Sequence, residues 1–388
     1  MKQNPVYQEK LDRLNKALDH GTPDRVPVFP ILETWQYFAA GVNFVDAMTK
    51  DPNICFSAFQ KVSDEVYLDA FFGTANSVPL KMMSNFGEGI YTFTEKGIQI
   101  KGGHGRVMEA SEYPELIADP MAFMLETIIP RKYPDILKMK EDNTLLVTWL
   151  KSMKDVLGFL RYNKSVIKRI ENELHTPVFP KATCIMPGDV IFDFFRDFVG
   201  VSQDIRRCPE LFLEAQEALI PIMVRMVEGA WGKPDRSGIV LFPLHLPTYI
   251  RPKDFEKYYF PVMKEMIRIL SAKGYSMGFA FENDWSRHID YLQDLPEARM
   301  LGVFEKGDLK HYKELLKDKI TVMGGFQVDI FRYGTKEQCI DEAKRCLEEY
   351  APGGNYIFST NINLETLEDC SIDKLAAVCD YVHTHGKY

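Results

Sequence analysis

The chain has 388 residues, 46% of them apolar and 26% charged, which is ordinary globular composition with enough length to bury a large core. Its net charge is −8 and it has no long Lys/Arg stripe, so a nucleic-acid backbone is excluded as the expected partner and small molecules or proteins are favoured. The seven cysteines form no Cys-x-x-Cys pair, which argues against both a disulfide framework and a thiolate zinc knuckle and fits reduced thiols.

The first residues, Met1-Lys2-Gln3-Asn4-Pro5, lead into a charged amphipathic stretch over 7–18 and not into an apolar signal core. No apolar run is long enough to span a bilayer, and a cytoplasmic location is expected. Short β-rich segments then recur at 26–30, 66–71, 177–182, 238–243, 275–281, 300–304, 320–324 and 355–359, each followed by a helical pattern. Eight such alternations predict parallel strands closed into a TIM (β/α)8 barrel behind an N-terminal helix, as one domain over residues 1–388.

About a hundred residues separate the second and third strands, far more than a crossover needs, so residues 73–176 are expected to form an inserted cap. Within it, alternating segments at 90–94 and 98–101 flank Glu95-Lys96-Gly97 and predict a hairpin in the region 89–107, placed to cover the C-terminal mouth of the barrel. Gly102-Gly103-His104-Gly105 follows this hairpin and opens no helix, so it is read as a loop and not as a phosphate cradle. Further on, Pro252 opens a helix that Pro261 should kink and Gly274 should end. Thr335-Lys336-Glu337-Gln338 is a capping box for a helix stopped at Pro352-Gly353-Gly354. His288 and His311 fall on helical stretches where exposure is expected.

Active sites of this fold lie at the C-terminal ends of the strands. The polar residues collected there are Glu33, Asp69, His245, Glu282, Glu305, Gln327 and Asn361, a ring dominated by acceptors. His and carboxylates are standard zinc ligands, so His245, Glu282 and Glu305 form a candidate metal set, while Glu282, His245 and Glu33 are the candidate catalytic groups. Asp69, Gln327 and Asn361, with the aromatic Trp35 and Tyr37 just beyond the first strand, are candidate substrate contacts.

Several motifs, taken in order, resemble a known family. They are Arg25-Val26-Pro27-Val28 after an N-terminal helix, Pro243-Leu244-His245 followed by Phe255-Glu256-Lys257-Tyr258-Tyr259-Phe260-Pro261, Gly324-Gly325 followed by Tyr333-Gly334-Thr335, and the stretch 351–359. Together these resemble the uroporphyrinogen-decarboxylase superfamily over nearly the whole chain. The decarboxylases of that superfamily place a Met-Arg-Gln-Ala-Gly-Arg segment after their first strand. Here Phe29-Pro30-Ile31-Leu32-Glu33-Thr34-Trp35 stands in its place, so Glu33 would meet the substrate's acids with repulsion.

The branch that transfers methyl groups to a corrinoid is the nearer resemblance. Its thiol-activating members hold zinc with His-x-Cys and a later Cys, whereas this chain carries Ala280, Glu282 and Met323 at those positions. The branch acting on phenyl methyl ethers has Pro-Leu-His before the fourth loop and a Glu after the fifth strand, which His245 and Glu282 match. The resemblance therefore implies O-demethylation of a small methoxylated aromatic, with the methyl passed to the cobalamin (corrinoid) of a separate protein, zinc as a candidate cofactor and a homodimer as a candidate assembly. No Asp-x-His-x-x-Gly segment is present to hold the cobalamin on this chain. The alternatives are a decarboxylase using Arg287, Lys306 or Arg332 as a carboxylate clamp, and a binding relative without catalysis.

Overall fold

In the first helix, Pro5–Leu18, apolar residues at helical spacing (Tyr7, Leu11, Leu14, Leu18) bury one face, and the Asn4 side chain caps its start by accepting from the Val6 amide at 2.9 Å. That face packs against Phe29, Ile31, Ala70, Phe179, Ile239, Leu301, Val303, Met323 and Ile357. These inward-pointing side chains come from strands all around a ring, so the helix plugs the floor of a barrel. The computed structural model describes residues 4–73, 79–87, 91–94, 97–100 and 106–388.

The described strands are β1 (Phe71–Phe72), β2 (Tyr91–Thr94), β3 (Gly97–Ile100), β4 (Val178–Phe179), β5 (Ala182–Thr183), β6 (Val240–Leu244), β7 (Met277–Asp284), β8 (Met300–Lys306), β9 (Thr321–Phe326) and β10 (Tyr356–Thr360). β5 to β10 form one parallel sheet in sequence order, and β1 pairs with β4 in parallel. Hydrogen bonds join these pieces into the TIM barrel. Phe29 N donates to Phe358 O at 2.9 Å, Asp69 N to Val28 O at 2.8 Å, Gly73 N to Phe179 O at 2.6 Å and Lys181 N to Ile239 O at 3.0 Å. Along the strands the alternate residues, among them Phe242, Phe279, Phe304, Phe326 and Phe358, belong to the larger core under the surrounding helices.

The first predicted strand, 26–30, is reduced to isolated bridges, Val28 with Phe358 and Leu32 with Leu364, because Pro27 and Pro30 have no N–H to extend a ladder. Pro180 divides the predicted strand 177–182 into β4 and β5 in the same way. The helix predicted from Pro252 is two helices, Pro252–Tyr258 and Phe260–Ala272, broken at Tyr259, two residues before Pro261. The capping box at Thr335 is formed, and its helix runs Lys336–Tyr350.

Between β1 and β4 lie the antiparallel hairpin β2–β3, several short helices and one long helix, Leu145–Glu173. The hairpin turn at 95–96 and the 102–105 segment lie outside the described residues. β2 sits against the helices Phe44–Thr49 and Leu80–Ser84. The long helix supplies a wall of the cavity described below, through Phe159, Leu160 and Asn163.

Asp69 also differs from its predicted role. Its side chain is fully buried and accepts from Arg13 at 2.5 Å, from the Tyr67 hydroxyl at 2.9 Å and from the Val28 amide at 2.7 Å. It pins the floor helix to the second strand and does not line the cavity.

Candidate active site

The sharp turn after β6 presents His245, and the end of β7 presents Glu282. The His245 ring lies between two carboxylates, with Nδ1 2.6 Å from Asp193 Oδ2 and Nε2 3.2 Å from Glu282 Oε1. Burial alone would lower the pKa of this histidine, but the hydrogen bonds and charges of Asp193 and Glu282 outweigh it and push the value up to about 11. His245 is thus an imidazolium at neutral pH, held by one acid below and one beside the cavity.

Asp189 fixes the turn that carries it. Oδ1 accepts from the amides of His245 at 3.1 Å and Leu246 at 2.6 Å, and Oδ2 accepts from the Tyr259 hydroxyl at 2.5 Å. Complete burial pushes the Asp189 carboxyl up to about 7. Asp189, Asp193 and Tyr259 are the residues that sequence reasoning missed. The available signal was Asp189 and Asp193 spaced four apart in an otherwise apolar run, which places both on one helical face.

A cavity of about 1240 Å³ is lined at the strand ends by Glu33, Glu282, Glu305 and Asn361, with Asn363 and Glu365 from the segment after β10. Its apolar walls include Ile31, Phe72, Leu241 and Phe281, and it extends along β5 toward Trp231. Asn363 donates to Glu33 Oε2. Burial, followed by the charge of Glu365 and, after the opposing Asn363 hydrogen bond, that of Glu282, raises the pKa of Glu33 above the usual carboxylate range. The structure therefore gathers four of the predicted residues, Glu33, Glu282, Glu305 and Asn361, with His245 immediately behind Glu282.

The remaining expectations are not met. Trp35 is fully buried and donates from Nε1 to Cys370 O at 2.7 Å, and the Tyr37 hydroxyl lies 3.2 Å from Cys55 Sγ. Both rings belong to the larger core among the surrounding helices and neither lines the cavity, because the chain turns into the helix Trp35–Ala39 directly after the first strand. Gln327 is exposed outside the cavity and accepts from Asn361 at 3.3 Å. His288, expected on an exposed face, is buried among Phe255 and Trp285, whereas His311 is exposed.

The zinc set does not fit as placed. Asp193 behind His245 Nδ1 is the kind of carboxylate that orients a metal-binding histidine. The third candidate, Glu305, is turned away, accepting from the Asn283 amide at 2.6 Å with Lys306 at 3.6 Å. Among the described residues no group of three His, Cys, Asp or Glu is placed to hold a metal ion.

Comparison with known proteins adds the following. The family profile described as uroporphyrinogen decarboxylase (URO-D) matches residues 126–385. A solved methyltransferase from Methanosarcina mazei superposes with a TM-score of 0.62 at 15% identity, covering 96% of this chain and 99% of that one, which shows a shared fold. A B12-independent methionine synthase from Shewanella sp. W3-18-1 aligns with a TM-score of 0.37 at 12% identity over 57% of this chain and 66% of that one, too slight a likeness to argue from. No curated protein sequence matches.

Proposed function

The chain belongs to the uroporphyrinogen decarboxylase family, and from that premise we propose that it is a methyltransferase that demethylates a small methoxylated aromatic and passes the methyl group to the Co(I) corrinoid of a separate protein. The observation that carries this reading is the pairing, across one cavity, of a carboxyl whose pKa burial raises, Glu33, with a carboxylate in contact with the His245 imidazolium, Glu282. The two acids differ in environment, Glu33 buried beside Asn363 and Glu282 in contact with His245, which suits them to separate roles. The fold is shared with a methyltransferase along 96% of the chain, which agrees with the reading.

The apolar wall of Phe72 and Phe281 suits a ring, each aromatic pair adding on the order of 1 kcal/mol beyond burial. Glu33 Oε2 is occupied by Asn363, so Oε1 is the atom that carries the proton to the donor's ether oxygen. As the methyl–oxygen bond breaks, its electron pair goes to that oxygen, the Glu33 proton follows, and a phenol leaves. The corrinoid delivered by the partner supplies the electron pair that takes the methyl. Glu282, in contact with His245, adds to the charge that raises the Glu33 pKa. No step is assigned to zinc.

A decarboxylase needs a cation for the substrate's acid. The three named from the sequence are each engaged, Arg287 with Thr248 O, Lys306 with Glu305, and Arg332 with Asp369 at 2.8 Å and Asp329 at 3.2 Å; Lys164, which lines the cavity without an ion-pair partner among the described residues, is the cation such a reaction would use. The test is a donor panel with Co(I) cobalamin as acceptor, scoring phenol release from ring-methoxylated compounds against turnover of methylthiols, methylamines and carboxylated substrates. Phenol release that drops at least a hundredfold in Glu282→Gln is expected. Turnover of a non-aromatic donor, or carbon dioxide release, would replace the reading.

A further inference from the structure

The helix Leu145–Glu173 spans about 43 Å at 1.5 Å per residue. Its inner face is seated, with Val166 and Ile170 buried, Trp149 4.7 Å from Phe86, and Arg169 lying 3.6 Å over the Phe56 ring. The outer face is unusual. Leu146, Leu150, Met153, Leu157 and Leu160 follow one another at alternating steps of four and three, the spacing that makes a continuous seam for a second helix. Their exposures are 71, 59, 61, 53 and 50%. Single exposed leucines need no explanation, but a seam of five does.

Two observations say what covers it. The first is charge. Lys154, Arg161, Lys164 and Lys168 lie along the seam or its edge, all exposed and, among the described residues, without an ion-pair partner, on a chain whose net charge is −8. Pairing of two copies through this face would set like charges together, whereas an acidic partner would be complementary. The second is position. Leu160 and Lys164 belong to the seam and its flank and also line the cavity that holds Glu33 and Glu282. Whatever seats on the seam ends at the lip of that cavity.

We propose that this outer face is the docking surface for the separate methyl-accepting corrinoid protein, engaged through an acidic element that carries an apolar ridge. The assignment rests on the methyltransferase reading for the identity of the partner. It deepens that reading by naming the surface and the charge of what it binds. Burial of the seam supplies the contact, and the basic flank speeds and orients the encounter, so binding weakens as salt screens the flank.

The experiment compares wild type with the triple variant L150E/M153E/L157E, whose sites are all exposed, and thermal unfolding verifies that the variant is folded. Binding of each to a purified cobalamin-carrying protein from the same source is measured at low and high salt, with Co(I) cobalamin turnover measured in parallel. Expected are at least tenfold weaker binding of the variant, weaker wild-type binding at high salt, and free-cobalamin turnover within twofold of wild type. Equal binding by the two proteins, or no binding by wild type, overturns the proposal. So does a wild-type dimer that the variant dissociates, or wild-type binding to phosphatidylglycerol vesicles that the variant loses, since these would assign the face to a second copy or to a lipid surface. Absence of demethylation by wild type with free cobalamin would sink the methyltransferase reading, and the binding measurement is decided without it.

Discussion

Glu33 and Glu282 share one cavity but have different neighbours, Asn363 for one and His245 for the other, and that difference can be tested one side chain at a time. Glu33→Gln keeps the shape and removes the transferable proton, so turnover with Co(I) cobalamin is expected to fall about 100-fold or more while donor binding changes little. Retention of the full rate would remove Glu33 from the chemistry. His245 is pushed up to about 11 by Asp193 and Glu282, and its folded pKa therefore lies above its unfolded one. The stabilisation it gives is fully present below about pH 6.5 and is lost as pH rises toward about 11. Asp193→Asn removes the shorter of the two contacts, so the imidazole should titrate at lower pH and this stabilisation should disappear earlier on the alkaline side. A nuclear magnetic resonance titration of the His245 ring, followed beside unfolding at several pH values, checks both statements. Metal analysis of the purified protein bears on the same residues: stoichiometric zinc that is lost in His245→Ala would mean that Glu305 swings away from Asn283 to complete a ligand set.

At the level of the element, the floor helix Pro5–Leu18 is fastened by a buried ionic contact as well as by its apolar face. Arg13 has a fully buried side chain that serves Asp69 at 2.5 Å, Glu9 at 2.7 Å and Asp24 at 2.7 Å. Arg13→Met strands Asp69 without its cation, and a loss of about 3–5 kcal/mol in denaturant unfolding is expected. A loss below about 1 kcal/mol would mean that water replaces the guanidinium, as at a surface pair. Thr335→Ala, which breaks a capping box at an exposed helix start, should cost only about 1 kcal/mol in the same assay. These elements also show what the sequence could reveal. Strands β6 to β10 were legible because each carries a short, mostly buried apolar run, and Thr335 because capping is decided by residues three apart. The first strand was legible as a position but not as a ladder, since Pro27 and Pro30 leave it only isolated bridges. Glu282 and His245 could be found from their places after strands. Asp193 and Asp189 act across more than fifty residues of chain, and Trp35 and Tyr37 turn inward because the following helix packs into the larger core among the surrounding helices, a decision made by tertiary contacts that no local pattern carries.

Across the whole molecule, among the described residues no helix is long and apolar enough to cross a membrane. The insertion between β1 and β4 is what distinguishes this barrel from a bare one, because its long helix both walls the cavity and presents a surface outward. Gly278 shows how tightly the interior is filled below that cavity: a Cβ there would lie 2.5 Å from Ile239 Cδ1, so Gly278→Ala is expected to destabilise the fold by about 1–3 kcal/mol through overpacking, measurable by denaturant unfolding. The floor helix has one more consequence, for traffic. Tyr7, Leu11, Leu14 and Leu18 stop the lower end of the barrel axis, so on the proposed function donor and phenol would both pass on the side of the strand ends that carry Glu33 and Glu282. On that reading, an acceptor protein resting at those strand ends would bar the exit of the spent ring and would have to step away before the phenol could go. Added phenol should then occupy the chamber ahead of a fresh donor and act as a competitive inhibitor against it.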